Sequence, residues 1–322
     1  MVEKQGQLGL PNKGLITNKD MKIRKLMAFL MLIITMSLSA QTITVEKSYR
    51  LSGENLKGFF PVLNMDGNML AFTSESYQGL RVYDFSTKSV TTISTEPGAG
   101  LNPVFNSNNE ILYRNTVYKS KLRYDGIKSF DLSKKITTEI IEPQRDIRYA
   151  KNQDNNIVLL NGKNEIKSLS GKNEDDAAYF VWSDGKSLNI KTSNSSKVLN
   201  PVEDANGYIW ASLSPDGKKI LFHAVAKGTF VCDLQGNIIS SLGHLNAPVW
   251  YGNNYVVGMQ DKDNGENIIS STIIVKSMDG KVEKQISDSE HIAMYPTASP
   301  IAGKVAYCTN NGDIYVVELN VN

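Results

Sequence analysis

The fold is indicated by one stretch of the chain, Trp210-Ala211-Ser212-Leu213-Ser214-Pro215-Asp216-Gly217-Lys218-Lys219-Ile220-Leu221-Phe222-His223. Pro215 presets the backbone angle of a turn, Asp216 can accept hydrogen bonds from that turn, and Gly217 tolerates a positive φ. Apolar, β-branched and aromatic residues lie on both sides of the turn, and two further runs of this kind follow before residue 243. The stretch therefore predicts four antiparallel strands joined by short turns.

The same pattern recurs along the chain, which indicates a structural repeat. Comparable units begin at positions 61, 103, 211, 248 and 296. The interval from 103 to 211 is about twice the others, so we expect one more unit there, beginning near Ala150 and containing Tyr179–Lys191 in its outer half. Four-stranded repeats of about 40–50 residues are typical of a β-propeller, because one such sheet cannot bury both faces alone. The sequence thus predicts an all-β protein with six four-stranded antiparallel blades.

The two ends of this repeat region predict how the ring closes. The last unit stops soon after its third strand, whereas Ile43–Leu51 forms a spare strand ahead of the first unit. Pairing the spare strand with the last blade would cover an open sheet edge. We therefore expect residues 41–322 to form a single β-propeller domain closed by its N-terminal strand.

The first forty residues have the layout of a secretory leader. Residues 1–20 are polar, and we expect them to be a disordered segment upstream of a signal peptide at residues 21–40. That peptide has a basic start at 21–25, an apolar run at 26–36 and small residues before a cleavage site between Ala40 and Gln41. The alternative is a retained membrane anchor, but the apolar run is shorter than the roughly twenty residues that a spanning helix needs. We expect export to the periplasm or the cell surface, with no retained transmembrane segment.

Charge and cysteine content restrict the function further. Beyond residue 40 the chain has 29 basic and 31 acidic residues. Nucleic-acid binding needs a basic surface excess, so no nucleic-acid partner is expected. Cys232 and Cys308 both lie in apolar strand patterns and are interpreted as core residues, although the sequence leaves open whether they pair.

The segment Leu213–Phe222, with the later Phe230–Leu234, resembles the repeat of TolB-type six-bladed propellers. The resemblance extends over residues 43–322 and is strongest in the unit that begins at 211. It implies the propeller fold. It does not imply one activity, because this fold supports binding, scaffolding and catalysis.

Motifs of known chemistry are absent from the sequence. There is no Gly-x-Ser-x-Gly elbow, phosphate-binding loop or paired zinc-ligand spacing, so we assign no catalytic residue, cofactor or metal. The segment Asp261–Glu266 has alternating carboxylates that would suit calcium, but Gly265 and Thr272 occupy positions where an EF-hand has ligands. The alternative is a polar hairpin loop. Asp residues recur in the same phase of the repeat, which indicates a structural role at turns: Asp66, Asp84, Asp131, Asp216 and Asp233.

Three aromatic residues near the inner strands are candidate ligand or partner contacts: Trp210, Trp250 and Tyr251. Aromatic rings at a propeller mouth can stack on a sugar or hold a peptide; alternatively they pack between blades. We interpret the protein as an envelope binding or scaffold module for a protein, peptide or glycan. The alternative is a lyase or hydrolase acting on a glycan or peptide in the central channel, which close ionisable side chains with perturbed pKa would favour.

Overall fold

The computed structural model describes residues 42–51, 53, 56–145, 147–153, 156–161, 166–168, 180–191 and 195–321, with only the backbone at 148–168. The predicted leader, the signal peptide and its cleavage site at Ala40 and Gln41 lie outside these ranges. Every regular element within them is a β-strand. None of the described residues belongs to a helix with the length and apolar character needed to span a membrane.

The strands are, in chain order, β1 (Ile43–Arg50), β2 (Phe59–Leu63), β3 (Met69–Thr73), β4 (Leu80–Asp84), β5 (Ser89–Ser94), β6 (Val104–Ser107), β7 (Glu110–Lys119), β8 (Leu122–Asp131), β9 (Ile136–Gln144), β10 (Ile147–Gln153), β11 (Asn156–Asn161), β12 (Ile166–Ser168), β13 (Phe180–Ser183), β14 (Leu188–Lys191), β15 (Ser196–Leu199), β16 (Tyr208–Leu213), β17 (Lys219–Ala224), β18 (Gly228–Asp233), β19 (Ile238–Gly243), β20 (Asn246–Tyr251), β21 (Tyr255–Asp263), β22 (Ile268–Ser277), β23 (Glu283–Gln285), β24 (Ala293–Ser299), β25 (Lys304–Thr309) and β26 (Ile314–Val321). They form separate antiparallel sheets, namely β2–β5, β6–β9, β10–β12, β13–β15, β16–β19, β20–β23, and β24–β26 together with β1.

These sheets are the blades of a propeller. The first strand of one sheet approaches the first strand of the next, as β24 does β2, β20 does β24, and β13 does β16. The first strands are therefore the inner strands of a ring. The apolar core lies between neighbouring sheets: Leu70 and Phe72 of one blade pack with Ala306, Ile314 and Val316 of another. The predicted fold class, an all-β propeller of antiparallel blades, is confirmed.

The segment predicted to hold one blade differs in detail from the prediction. Residues 147–199 contain two three-stranded sheets, so the described residues form seven sheets, one more than the units counted in the sequence. We expected Tyr179–Lys191 in the outer half of a blade, but β13 lies beside the inner strand β16. Its turn resembles the one after β16, because Asp184 accepts hydrogen bonds from the amides of Lys186 and Ser187. Such a turn can join inner or outer strands, and only packing against the neighbouring blade distinguishes the two cases.

The two ends of the ring meet through strand pairing and hydrogen bonds. Strand β1 pairs antiparallel with β26, from Ile43 opposite Val321 to Arg50 opposite Tyr315, as the spare N-terminal strand was expected to do. The first and last blades are also joined directly. The backbone amide of Leu63 donates to Thr297 Oγ1 at 3.1 Å, and further hydrogen bonds run from Ser299 and Lys304 to backbone carbonyls of the β2–β3 turn.

Both cysteines lie in this interior. Cys232 and Cys308 are buried and unpaired. Burial raises the pKa of each thiol to about 12. Their interpretation as small core residues agrees with this placement.

Candidate functional site

The antiparallel order of the blades places specific connections on each face of the ring. We call the face where the first strands begin the upper face. The connections from second to third strand, and from each blade to the next, lie there, because neighbouring strands run in opposite directions. The Ser214–Gly217 turn and its equivalents lie on the opposite, lower face.

Four first strands carry an unusual backbone feature near the upper face. A residue with positive φ occurs in each: Phe60 (52°), Trp210 (53°), Ala247 (43°) and Tyr295 (52°). The strand register shifts across each of these residues, which identifies β-bulges. A bulky residue in this conformation costs about 1–3 kcal/mol and persists only where the surrounding structure enforces it. Bulges redirect side chains, and here three of the four redirected side chains are aromatic.

Two of these residues form an aromatic cluster with a third, which we define as Phe60, Tyr77 and Tyr295. Tyr77 lies on the β3–β4 connection and stacks on Phe60 with ring centroids 4.4 Å apart, while Tyr295 lies 4.5 Å from the same ring. All three are half-buried. The phenol oxygens of Tyr77 and Tyr295 have no hydrogen-bonding partner in the part of the chain that the structure describes. The cluster thus has partly exposed rings and unpaired polar atoms.

Negative charge lies near one ring of the cluster, that of Tyr295. Burial raises the pKa of Tyr77. The pKa of Tyr295 is raised first by burial and then by neighbouring groups that include Tyr77, Asp261 and Glu75. Two carboxylates therefore act on the phenol of Tyr295.

Asp261, on the neighbouring blade, is the centre of a polar group that extends to the blade before it. We define this polar group as His223, His244, Asn246 and Asp261. Asp261 is 8% exposed, and its carboxylate accepts hydrogen bonds from Asn246 Nδ2 at 3.0 and 3.2 Å. His244 Nε2 lies 2.8 Å from the backbone oxygen of Asp261 and 3.5 Å from its Oδ1. No lysine or arginine among the described residues forms an ion pair with this buried carboxylate.

His223 is held in one tautomer by its neighbours. Its Nδ1 lies 3.0 Å from Thr229 Oγ1, and that hydroxyl donates its proton to the carbonyl of Leu245. Nδ1 must therefore carry the proton of the neutral ring, which leaves the lone pair on Nε2. Burial lowers the pKa of His223, and the nearby His244 lowers it further, whereas the Leu245 carbonyl and Asp261 raise it. The ring is consequently neutral at neutral pH.

The structure separates the three aromatic residues singled out in the sequence. Trp210 is 41% exposed on the upper face and meets His223 edge to face at 5.4 Å. Trp250 is half-buried, and its Nε1 lies 3.4 Å from the carbonyl of Ser212 in the adjacent blade. Tyr251 is 6% exposed within the core between blades. Trp210 therefore lies close to the polar group, while the other two lie at the lower ends of their strands.

The segment 261–266 contains the end of β21 and most of the polar turn that joins β21 to β22. Asp263 Oδ1 accepts a hydrogen bond from the Gly265 amide, and Asn264 Oδ1 accepts from the amides of Glu266 and Asn267. Its side-chain oxygens thus stabilise the turn. Across the described ranges no three His, Cys, Asp or Glu side chains are grouped as metal ligands.

Sequence reasoning did not single out the aromatic cluster, although a signal was available. Phe60-Pro61 and Tyr295-Pro296 occupy the same phase of the repeat, and Trp210-Ala211 occupies it in another blade. An aromatic residue that recurs just before the starting position of a repeat unit marks the bulge in the first strand. The contribution of Tyr77 could not be foreseen, because its connection has no such pattern.

Comparison with known proteins supports the architecture. No family model matches the chain, and no curated protein matches it. Among solved structures, the WD40 propeller domain of Doa1 matches with a TM-score of 0.57 and 13% identity, covering 86% of this chain and 97% of that one. The chain is a β-propeller. The propeller domain of the Trilobed protease from Pyrococcus furiosus matches with a TM-score of 0.55 and 10% identity, over 87% of this chain and 96% of that domain.

A TolB structure from Acinetobacter baumannii is also similar. Its TM-score is 0.46 with 16% identity, and the match covers 80% of this chain. The chain spans 57% of the length of that TolB structure. The fold rests on the Doa1 and Trilobed protease matches, and at their identities the likeness establishes no particular activity.

Proposed function

We propose that this propeller is exported to the cell envelope and works there as a binding or scaffold module, with a peptide or glycan bound at its upper face. The observation that carries the proposal is the aromatic cluster, where positive-φ bulges direct Phe60 and Tyr295 together. Half-buried aromatic rings with a free polar atom are common in binding sites, since one surface can contact apolar groups while the hydroxyl forms a directional bond.

The positions of the candidate contacts support the choice of face. The aromatic cluster, Trp210 and the polar group all belong to the ends of blades where the first strands begin. Bulges and long connections are concentrated at that end, whereas the lower turns are short and held by their own Asp and Ser side chains. Loops carried on a rigid scaffold are the usual location of recognition.

Binding is tested with the purified protein on peptide and glycan arrays. Tyr295→Ala is expected to reduce retention of the bound probes at least tenfold. The matched control is Phe85→Ala, because Phe85 is a half-buried aromatic residue paired with Tyr83 at 5.1 Å on the lower face. Equal retention by both variants would contradict the assignment of the upper face.

Export is tested separately. The full chain is expressed in a bacterial host, the cells are fractionated, and the N-terminus of the envelope form is sequenced. We expect a mature chain that begins at Gln41. A protein recovered uncleaved from the cytoplasm would contradict export and leave the binding site unaffected.

A lyase or hydrolase is the second candidate function, and His223 is the observation that favours it. A neutral imidazole with the lone pair on Nε2, 8% exposed and beside the exposed Trp210, has the chemical form that a general base requires. Incubation with glycan and peptide panels tests this candidate. Turnover that disappears in His223→Gln would favour the enzyme over the binding module.

A further inference from the structure

The charge around the aromatic cluster indicates what kind of ligand it takes, an inference that rests on the proposed function. Glu75 lies on the same connection as Tyr77, and Asp261 belongs to the adjoining blade. Both act electrostatically on Tyr295. Neither carboxylate has a lysine or arginine partner in the described part of the chain; Glu75 is exposed, and Asp261 is held by Asn246 and lies beside His244.

Other connections of this part of the upper face add negative charge. The β21–β22 hairpin carries acidic side chains beyond Asp261, and the connection from β23 to β24 carries two more: Asp263, Glu266, Asp288 and Glu290. All four are exposed. Lys262 is the basic residue of the first of these connections, and His291 lies beside Asp288 in the second.

The rings of the cluster differ from other rings of the described residues in having no cation of the protein over their faces. Cations of the chain lie over aromatic rings elsewhere, as Arg81 does over Phe72 at 4.6 Å and Lys304 over Phe85 at 4.5 Å. In the described residues no such cation lies over Phe60, Tyr77 or Tyr295. The electron-rich faces of these rings and the nearby carboxylates both attract a positive group.

We propose that the upper face binds an extended basic polypeptide and that a lysine or arginine side chain of this partner lies on the aromatic cluster. The charge is complementary, since Glu75 and Asp261 give the site negative charge and the partner's side chain brings a positive one. Trp210 and Ile209 expose apolar surface on the same face, at 41% and 37%, and contact apolar residues farther along the partner. A neutral glycan can donate hydrogen bonds to the carboxylates but does not neutralise their charge, and an acidic glycan would be repelled by them.

The test uses fluorescein-labelled twelve-residue peptides and fluorescence anisotropy. One peptide has lysine and arginine alternating with leucine and serine. Two control peptides have the basic residues replaced, in one by norleucine and citrulline and in the other by glutamate. We expect the basic peptide to bind at least tenfold more tightly than either control peptide. Raising the salt concentration from 50 to 500 mM should weaken this binding, because exposed charges are screened.

Substitutions test whether the peptide binds at the aromatic cluster. Glu75→Gln and Tyr295→Ala are expected to weaken binding of the basic peptide about threefold and tenfold. Phe85→Ala on the lower face should leave it unchanged. Because Glu75 is exposed, its substitution leaves the core intact, and circular dichroism verifies the fold of every variant.

Two results would overturn the inference in distinguishable ways. If a neutral or acidic oligosaccharide binds and Tyr295→Ala abolishes that binding, while the basic peptide does not bind, the basic partner is wrong and the proposed binding face stands. If basic peptides and glycans all fail to bind, or bind equally to wild type and Tyr295→Ala, both proposals fail.

Discussion

Replacement of Thr297 by valine tests the contact that closes the ring. The Leu63 amide donates to Thr297 Oγ1 at 3.1 Å across 234 residues of sequence, joining β2 of the first blade to β24 of the last. Valine has nearly the same shape as threonine but cannot accept this hydrogen bond. Leu63 is only 7% exposed, so its amide would lose a partner without gaining free access to water.

The expected cost follows from that burial. A buried backbone donor left unsatisfied costs about 1–3 kcal/mol. For domains of about 150–250 residues, each kcal/mol lowers the melting temperature by about 2–4 °C, so Thr297→Val should melt several degrees below the wild type. Thr297→Ser keeps the hydroxyl and is the matched control. Its melting temperature should fall by less than half as much as that of Thr297→Val.

The assay is equilibrium unfolding in urea, followed by tryptophan fluorescence and circular dichroism. The midpoint should fall while the slope with denaturant stays constant, because the surface exposed on unfolding does not change. The reasoning is refuted if Thr297→Val unfolds at the same midpoint as both wild type and Thr297→Ser. That result would mean that the contact between first and last blades does not contribute to closing the ring.

Three other predictions follow from local features. Hydrogen bonds from Ser277 and Lys281 lower the pKa of Asp279 to about 2; because this folded-state value lies below the unfolded one of about 3.9, its stabilising effect is present above pH 4 and lost as the pH falls toward 2. The urea midpoint of the wild type should therefore decrease over that pH range, and the midpoint of Asp279→Asn should decrease less. The same dependence of the midpoint on pH in both proteins would contradict the assignment. Cys232 and Cys308 should not react with a thiol reagent in the native protein and should both react in guanidinium chloride; a fast-reacting thiol before unfolding would show that one of these strands opens. Gly100→Ala would place a Cβ in steric overlap with the Thr73 side chain, and the strain should lower the free energy of unfolding by about 1–3 kcal/mol. The measurement is the urea midpoint, which should fall; an unchanged midpoint would refute this prediction.

Much of the fold could be predicted because its turns are local. Asp131 and Asp233 were interpreted as structural from their phase in the repeat, and each accepts hydrogen bonds from backbone amides two to four residues ahead. Such a turn is encoded within five residues, so the sequence pattern contains all that is needed. The same reasoning predicted the position of the spare strand β1, because an unpaired edge needs a partner.

Residues 147–199 show where local reasoning ends. The Ser183-Asp184-Gly185 turn has the same chemistry whether it joins inner or outer strands, and this ambiguity merged two sheets into one predicted unit. Whether a strand is the inner or an outer strand of its blade depends on what packs against it. The side chains that distinguish β13 as an inner strand belong to the next blade.

By itself the sequence determined that the chain forms antiparallel sheets of short strands, which turns join them, and that such sheets must stack to bury both faces. Only the tertiary structure decided which side chains meet on the upper face. Phe60 and Tyr295 are joined by the closure of the ring rather than by any short-range pattern, and Tyr77 reaches them from a separate connection. The reason is physical: strand and turn formation depends on neighbours in the chain, whereas a site between the first and last blades exists only after every intervening sheet has packed.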